Sequence, residues 1–236
     1  MTALSILFIG LLLGLQHATE ADHLAAVATL ATRQTGWRQA LRQGAFWGLG
    51  HTLTLLAFAG VVLALGQVIP PVVERWLETG VGLMLVLLGA DVLRRLWRER
   101  IHFHLHRHES PRGPDTVHVH AHSHRGDVAH ARSTHDHPHP RGWPLRALAV
   151  GMMHGLAGSA ALVLLSLQAT PSLPLGLAYI ALFGLGSIAG MALLSIVIAA
   201  PMRLSARHLT RLHRVMQAGV GLFSCTLGAV TIVRLG

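Results

Sequence analysis

Lysine is absent from this 236-residue chain; all 19 of its basic residues are arginine. Charge of either sign is scarce. Only 12% of residues are charged, about half the share of a soluble domain. Cysteine occurs once, at Cys225, which excludes an intrachain disulfide framework and a thiolate metal cage. No Walker A pattern is present, so the chain does not itself hydrolyse ATP, and no His-Glu-x-x-His pattern marks an intramembrane metalloenzyme. The formal net charge of +9 and pI near 11.7 would suit a nucleic-acid partner. The arginines, however, sit between hydrophobic blocks rather than on one basic face, so no nucleic acid is expected.

What is abundant is apolar sequence. Hydrophobic residues make up 52% of the chain and mean hydropathy is +0.50. A helix needs about 20 apolar residues to cross a bilayer. Six segments qualify, near 3–31, 43–66, 77–97, 145–168, 174–200 and 212–234. Turn or charge signals bound them, among them Gly36, Pro70-Pro71, Pro171 and Pro201. The first segment lacks a basic leader and runs on through charged residues, so a cleaved signal peptide is not expected. Arginine is concentrated in the first, third and fifth connections; Arg75 and Arg234 alone fall on the other side. The positive-inside rule then places both termini outside and the odd-numbered connections in the cytoplasm of a cell with the protein in its inner (plasma) membrane.

The two halves repeat. Gly14-Leu15-Gln16-His17 matches Gly151-Met152-Met153-His154. Gly48-Leu49-Gly50-His51 matches Gly184-Leu185-Gly186-Ser187, and Gly80-Val81-Gly82-Leu83 with Gly89 matches Gly219-Val220-Gly221-Leu222 with Gly228. Each repeat holds three spans, an odd number, so the second copy is inverted in the membrane. Such repeats are a recurring plan of secondary transporters, with the substrate site near the midplane. Recurrent small residues for helix packing would be the simpler explanation, but three matched segments keep order and spacing. The fold expected is all-α and polytopic, six transmembrane helices in a 3+3 inverted repeat: residues 1–98 and 142–236, with a histidine-rich cytoplasmic loop, 99–141, between them.

Span 1 carries His17, Glu20, Asp22 and His23. Ionisable groups inside a span are costly and usually face a cavity or an ion path. On an ideal helix His17, Glu20 and His23 share one face of about 120°, and Asp22 points elsewhere. Either Asp22 has a second role or the helix is unwound here. Imidazole and carboxylate form a mixed nitrogen and oxygen ligand set, suited to Ni, Zn, Cu or Fe. His51 in span 2 and His154, the repeat counterpart of His17, are the other intramembrane histidines. The candidate metal ligands are therefore His17, Glu20, Asp22, His23, His51 and His154. Thr52, Ser159, Met152 and Met153 are read as packing residues, and Asp91 as half of a structural ion pair with Arg94 or Arg95.

These residues carry a resemblance. His17-Ala18-x-x-Ala21-Asp22-His23 resembles the signature of the NiCoT nickel/cobalt transporters. Gly50-His51-Thr52 resembles their second motif, and Gly155-Leu156-Ala157-Gly158-Ser159-Ala160 resembles the shorter NicO and UreH-like relatives. The resemblance covers all six spans, with its specificity in span 1. It implies Ni²⁺ or Co²⁺ uptake, with His17, Asp22 and His23 as the essential cluster. Two departures stand out: the leading helix of eight-span members is missing, and Glu20 stands where many members have Asp, which bears on metal preference. A related branch exports the metal.

Twelve of the 18 histidines lie between His102 and His139, largely in x-His alternation. Such tracts read as metal binding by composition. The segment is rich in Pro, Gly and Arg, and a largely disordered loop is expected. Flexible imidazoles select poorly among metals, so the transport site is not expected there. The leading function is a secondary transporter for Ni²⁺, or Co²⁺, with the ion as cargo, no tightly bound cofactor and no enzymatic activity. The alternatives are an efflux transporter and a membrane metal sensor or chaperone that does not move ions. The partners expected are the divalent ion and the lipid bilayer; oligomeric state is not legible.

Overall fold

A computed structural model describes residues 3–32, 36–65, 70–98, 102–108, 116–122, 144–156, 172–208 and 210–235. It divides into two compact units, one made of 1–93 with 143–236 and the other of 94–142.

The larger unit is helical. α1 (Ala3–His17) and α2 (Ala21–Ala31) are the two halves of the first expected span, bent by 55° at a short break. The break is local chemistry. The Thr19 hydroxyl donates to the Gln16 carbonyl at 2.6 Å, the Thr19 amide donates to the same oxygen at 2.9 Å, and the Glu20 amide donates to the His17 carbonyl. These bonds take up carbonyls that would otherwise continue the helix. Glu20 is then extended (φ −63°, ψ 151°) and α2 starts afresh. The unwound alternative for span 1 is the one observed, so the ideal-helix angles around Asp22 do not apply.

Four further helices follow: α3 (Trp37–Leu65), α4 (Pro71–Arg98), α6 (Leu173–His208) and α7 (Thr210–Leu235). Each is long and apolar enough to cross a bilayer, which gives four spans, or five when the bent pair is counted as one broken span. Between α4 and α6 lies α5 (Leu145–Gly155); the rest of the fourth expected span falls outside the described residues. Phe8, Leu12, Leu53, Leu193 and Val197 lie exposed on the helix surfaces, as suits a chain whose surroundings are hydrocarbon.

Glycines set the helix contacts, because small residues let backbones approach closely. The contacts are reciprocal. A Cβ on Gly14 of α1 would strike the Phe183 carbonyl of α6, and one on Gly186 would strike the Leu11 carbonyl of α1. On the other side, a Cβ on Gly151 of α5 would strike the Trp47 carbonyl of α3, and one on Gly50 would strike the Leu148 carbonyl of α5. Gly82 and Gly89 of α4 meet Gly228 and Gly221 of α7 in the same manner. α3 and α6 run antiparallel: Gly44 faces Met191, Gly48 faces Ile188, and Thr52 faces Gly184.

In the second unit, β1 (His102–His108) and β2 (Thr116–His122) form an antiparallel pair, with His102, His104 and His106 in register with His122, His120 and His118. The expectation of a loop without regular structure is corrected over these fourteen residues. The physical reason is in the sequence. Phe103, Leu105, Val117, Val119 and Ala121 alternate with the histidines, and a period of two is a strand pattern.

Candidate metal site

Four histidines from four helices converge inside the larger unit. His17 ends α1, His23 sits in the first turn of α2, His51 lies mid-way along α3 and His154 near the end of α5. All are buried, His51 completely. The bend between α1 and α2 turns His23 back toward His17, so their ring centroids are 4.3 Å apart. His51 is 5.3 Å from each of them, and His154 is 4.2 Å from His23.

The two carboxylates hold the rings from outside. His17 Nδ1 donates to Glu20 Oε1 at 2.7 Å. Asp22 Oδ1 accepts from both the backbone amide and Nδ1 of His23, at 2.8 and 2.9 Å. Its other oxygen, Oδ2, accepts from His154 Nε2 at 2.8 Å. A carboxylate accepts and does not donate, so the protons sit on those ring nitrogens. The opposite nitrogens then present lone pairs. His17 Nε2, His23 Nε2, His154 Nδ1 and both His51 nitrogens are buried with no hydrogen-bond partner among the described residues.

Buried polar atoms are normally paired. Five unpaired imidazole nitrogens at one place make a candidate ligand set, with His51 able to offer one of its two when neutral. The rings of His17, His23 and His154 are backed by carboxylates, and a carboxylate behind a histidine fixes its tautomer and raises its basicity toward a metal. Two groupings bring ligand atoms within 4.8 Å of one another: His17, His23 and His51, and Asp22, His23 and His154. His23 belongs to both. All six residues read from the sequence are thus brought together, with Glu20 the most open, at 48% side-chain exposure.

Thr52 packs as expected, Met152 and Met153 lie exposed, and Asp91, expected to pair with Arg94 or Arg95, makes an ion pair with Arg146. Thr52 donates its hydroxyl to the Gly184 carbonyl at 3.1 Å, across to α6. Asp91 accepts from Arg146 Nη2 at 3.2 Å, which ties α4 to α5. Ser159 and most of the histidine-rich tract lie outside the described residues.

Two aromatic residues escaped the sequence reading. The Trp47 ring lies 5.4 Å from His23 and 5.8 Å from His154, and the Phe183 ring 5.3 Å from His17. A signal was present: Trp47 and Phe183 each stand directly before a Gly-Leu-Gly, at matching places in the two halves.

Comparison with known proteins agrees with this chemistry. Residues 3–209 match NicO, described as high-affinity nickel-transport protein. The chain is also similar to a urease accessory protein, UreH, of Bacillus sp. (strain TB-90). The two are 35% identical over 235 residues, covering 99% of this chain and 92% of the relative. No solved structure matches.

Proposed function

The chain belongs to the NicO family of high-affinity nickel-transport proteins, and from that premise we propose that it is a secondary transporter that takes up Ni²⁺ through the buried histidine cluster. Co²⁺ is the second cargo. The observation that carries the reading is the set of unpaired imidazole nitrogens on His17, His23, His51 and His154, buried among apolar helices. The ion is cargo: it binds neutral imidazoles, with Glu20 and Asp22 supplying negative charge behind the rings.

The architecture proposed is six spans in a 3+3 inverted repeat, with the site at the interface of the halves. The reciprocal glycine contacts support it. Gly14 beneath the Phe183 carbonyl and Gly151 beneath the Trp47 carbonyl are one contact made twice, as are Gly186 with Leu11 and Gly50 with Leu148. His17 and His154 occupy equivalent places, and the Asp22–His154 bond joins the halves. Alternating access then amounts to a rearrangement of one half against the other around the cluster. Both termini lie outside, with the arginine-rich connections in the cytoplasm. The chain carries out no covalent chemistry.

The test is accumulation of radiolabelled nickel by cells making the protein, beside cells making His17→Ala. Gain of nickel by the wild type and its loss in the variant is the expected result. A fall in cell nickel on expression would reverse the direction, and no change with either nickel or cobalt would remove the transport reading.

A further inference from the structure

Two aromatic side chains flank the histidine cluster, Trp47 against His23 and His154 and Phe183 against His17. Along α3, Trp47, His51 and Leu55 follow one another about one turn apart, and all three are fully buried. Trp47 packs in one apolar cluster, with Ala25, Leu30 and Met191; Leu55 packs in another, with Tyr179, Ile180 and Phe183. Because α6 runs antiparallel to α3, Phe183 lies at the Leu55 end and Met191 at the Trp47 end. The histidines are therefore held between Trp47 on one side and Phe183 on the other. Trp47 covers His23 and His154, and Phe183 covers His17.

Beyond Trp47 the packing opens. A small cavity is lined by Leu30 and Ala31 of α2, Ala40, Gln43 and Trp47 of α3, and Ser195 of α6. It lies toward the 32–36 connection, at the end of α2 and the start of α3. Trp47 is the wall between this cavity and the imidazoles. Its indole N–H is buried and makes no hydrogen bond, so no polar contact anchors the ring where it is. A buried indole normally finds a partner, and this one has none among the described residues, although Gln43 and Ser195 line the adjoining cavity.

The two aromatics are placed alike. Each aromatic precedes a Gly-Leu-Gly. Each has its carbonyl under the glycine that stands three residues before the histidine it covers: Gly151 before His154 for Trp47, and Gly14 before His17 for Phe183. An inverted repeat places equivalent residues at opposite membrane faces. We propose that Trp47 and Phe183 are the two gates of the metal path, Trp47 closing it on the side of the 32–36 connection and Phe183 on the opposite side. This rests on the transporter reading above and extends it to residues that do not bind the ion. Each ring is large enough to exclude water, and withdrawal of one while the other stays seated gives access from one side at a time.

Cys225 is the chain's one cysteine, which makes the test direct. In a Cys225→Ser background, Ser187→Cys places a reporter one turn beyond Phe183, at a completely buried position. A charged, membrane-impermeant thiol reagent is applied to right-side-out and to inverted vesicles. With both gates intact, labelling is slow from either side. Trp47→Ala is expected to speed it on the order of tenfold from the side of Arg33, Arg38 and Arg42 only, and Phe183→Ala from the other side only. Acceleration from the same side by both variants, from both sides by either, or by neither overturns the gates. If an alanine variant fails to reach the membrane, Trp47→Leu and Phe183→Val are read in the same way with a smaller acceleration. Nickel flux is measured in the same vesicles. Flux without the sided pattern removes the gates alone; the sided pattern without flux removes the transport reading and leaves two sided seals.

Discussion

Asp22 Oδ2 meets His154 Nε2 at 2.8 Å across 132 residues of sequence, while Asp22 Oδ1 holds His23 Nδ1 at 2.9 Å. One carboxylate thus orients two imidazoles from different halves of the chain. Asp22→Asn keeps the shape but loses the charge, and its amide nitrogen can no longer accept from one of the rings. Loss of such an orienting partner typically costs about 10–100-fold in metal affinity or activity, and a loss of that size in nickel flux is expected. Among the described residues the Glu20 carboxylate bonds His17 alone, and it is half exposed, so Glu20→Gln is expected to cost less. Initial rates of nickel entry into proteoliposomes rank the two; a Glu20→Gln loss equal to or larger than that of Asp22→Asn contradicts this division of roles.

Among the described residues, His51 is the one histidine of the four with no hydrogen bond on either nitrogen. In the proposed reading its role is to bind the ion directly. His51→Ala is expected to weaken nickel binding by the purified protein at least as much as His17→Ala does, while leaving thermal stability near that of the wild type. His17→Ala, by contrast, also strands Glu20. Equilibrium binding of labelled nickel and a melting curve on the same preparations check both halves of the statement.

How much of this was legible beforehand varies with the physics of each part. The long apolar helices were plain, because bilayer thickness sets a length that composition reveals directly. The six candidate ligands were legible because ionisable residues in hydrocarbon are costly enough to stand out singly. The break at residues 18–20 was not. It depends on the Thr19 hydroxyl and on competing hydrogen bonds within one turn, and periodicity averages over such local choices. Trp47 and Phe183 were not singled out, since their position against the histidines follows from how α5 and α1 pack. The strand pair in the histidine tract was hidden by composition: Pro, Gly and Arg around it suggested disorder, while alternation within it carried the opposite message.

The glycine contacts give a test of packing that is independent of metal. A Cβ at Gly14 or Gly151 would collide with backbone, which cannot move aside as a side chain can. Gly14→Ala and Gly151→Ala are each expected to lower stability by several kcal/mol or to prevent accumulation in the membrane. Gly80 and Gly219, another matched pair, would meet nothing within 4 Å. Alanine there relieves the helix of glycine's flexibility, worth about 1 kcal/mol in helix propensity, and is expected to be neutral or stabilising. Melting temperatures of the four detergent-solubilised variants should split into two pairs. A split by half of the chain instead, with Gly14 and Gly80 behaving alike, would contradict the reciprocal packing.

Deletion of residues 101–140 separates the two histidine populations of the chain. Twelve of the 18 histidines lie in that tract, whereas the buried cluster is built from His17, His23, His51 and His154, all in the other unit. The cluster fixes its imidazoles with carboxylates and with packing on several sides, and geometry of that kind is what selects among divalent ions. Nickel flux is therefore expected to survive the deletion at near the wild-type maximal rate, and His17→Ala in the shortened protein is expected to abolish it. Total nickel bound per molecule should fall with the tract removed, since neutral imidazoles take up metal wherever they are clustered. Flux and equilibrium binding measured side by side distinguish the populations. Flux that falls in step with the bound nickel would move the transport site out of the helices and into the tract.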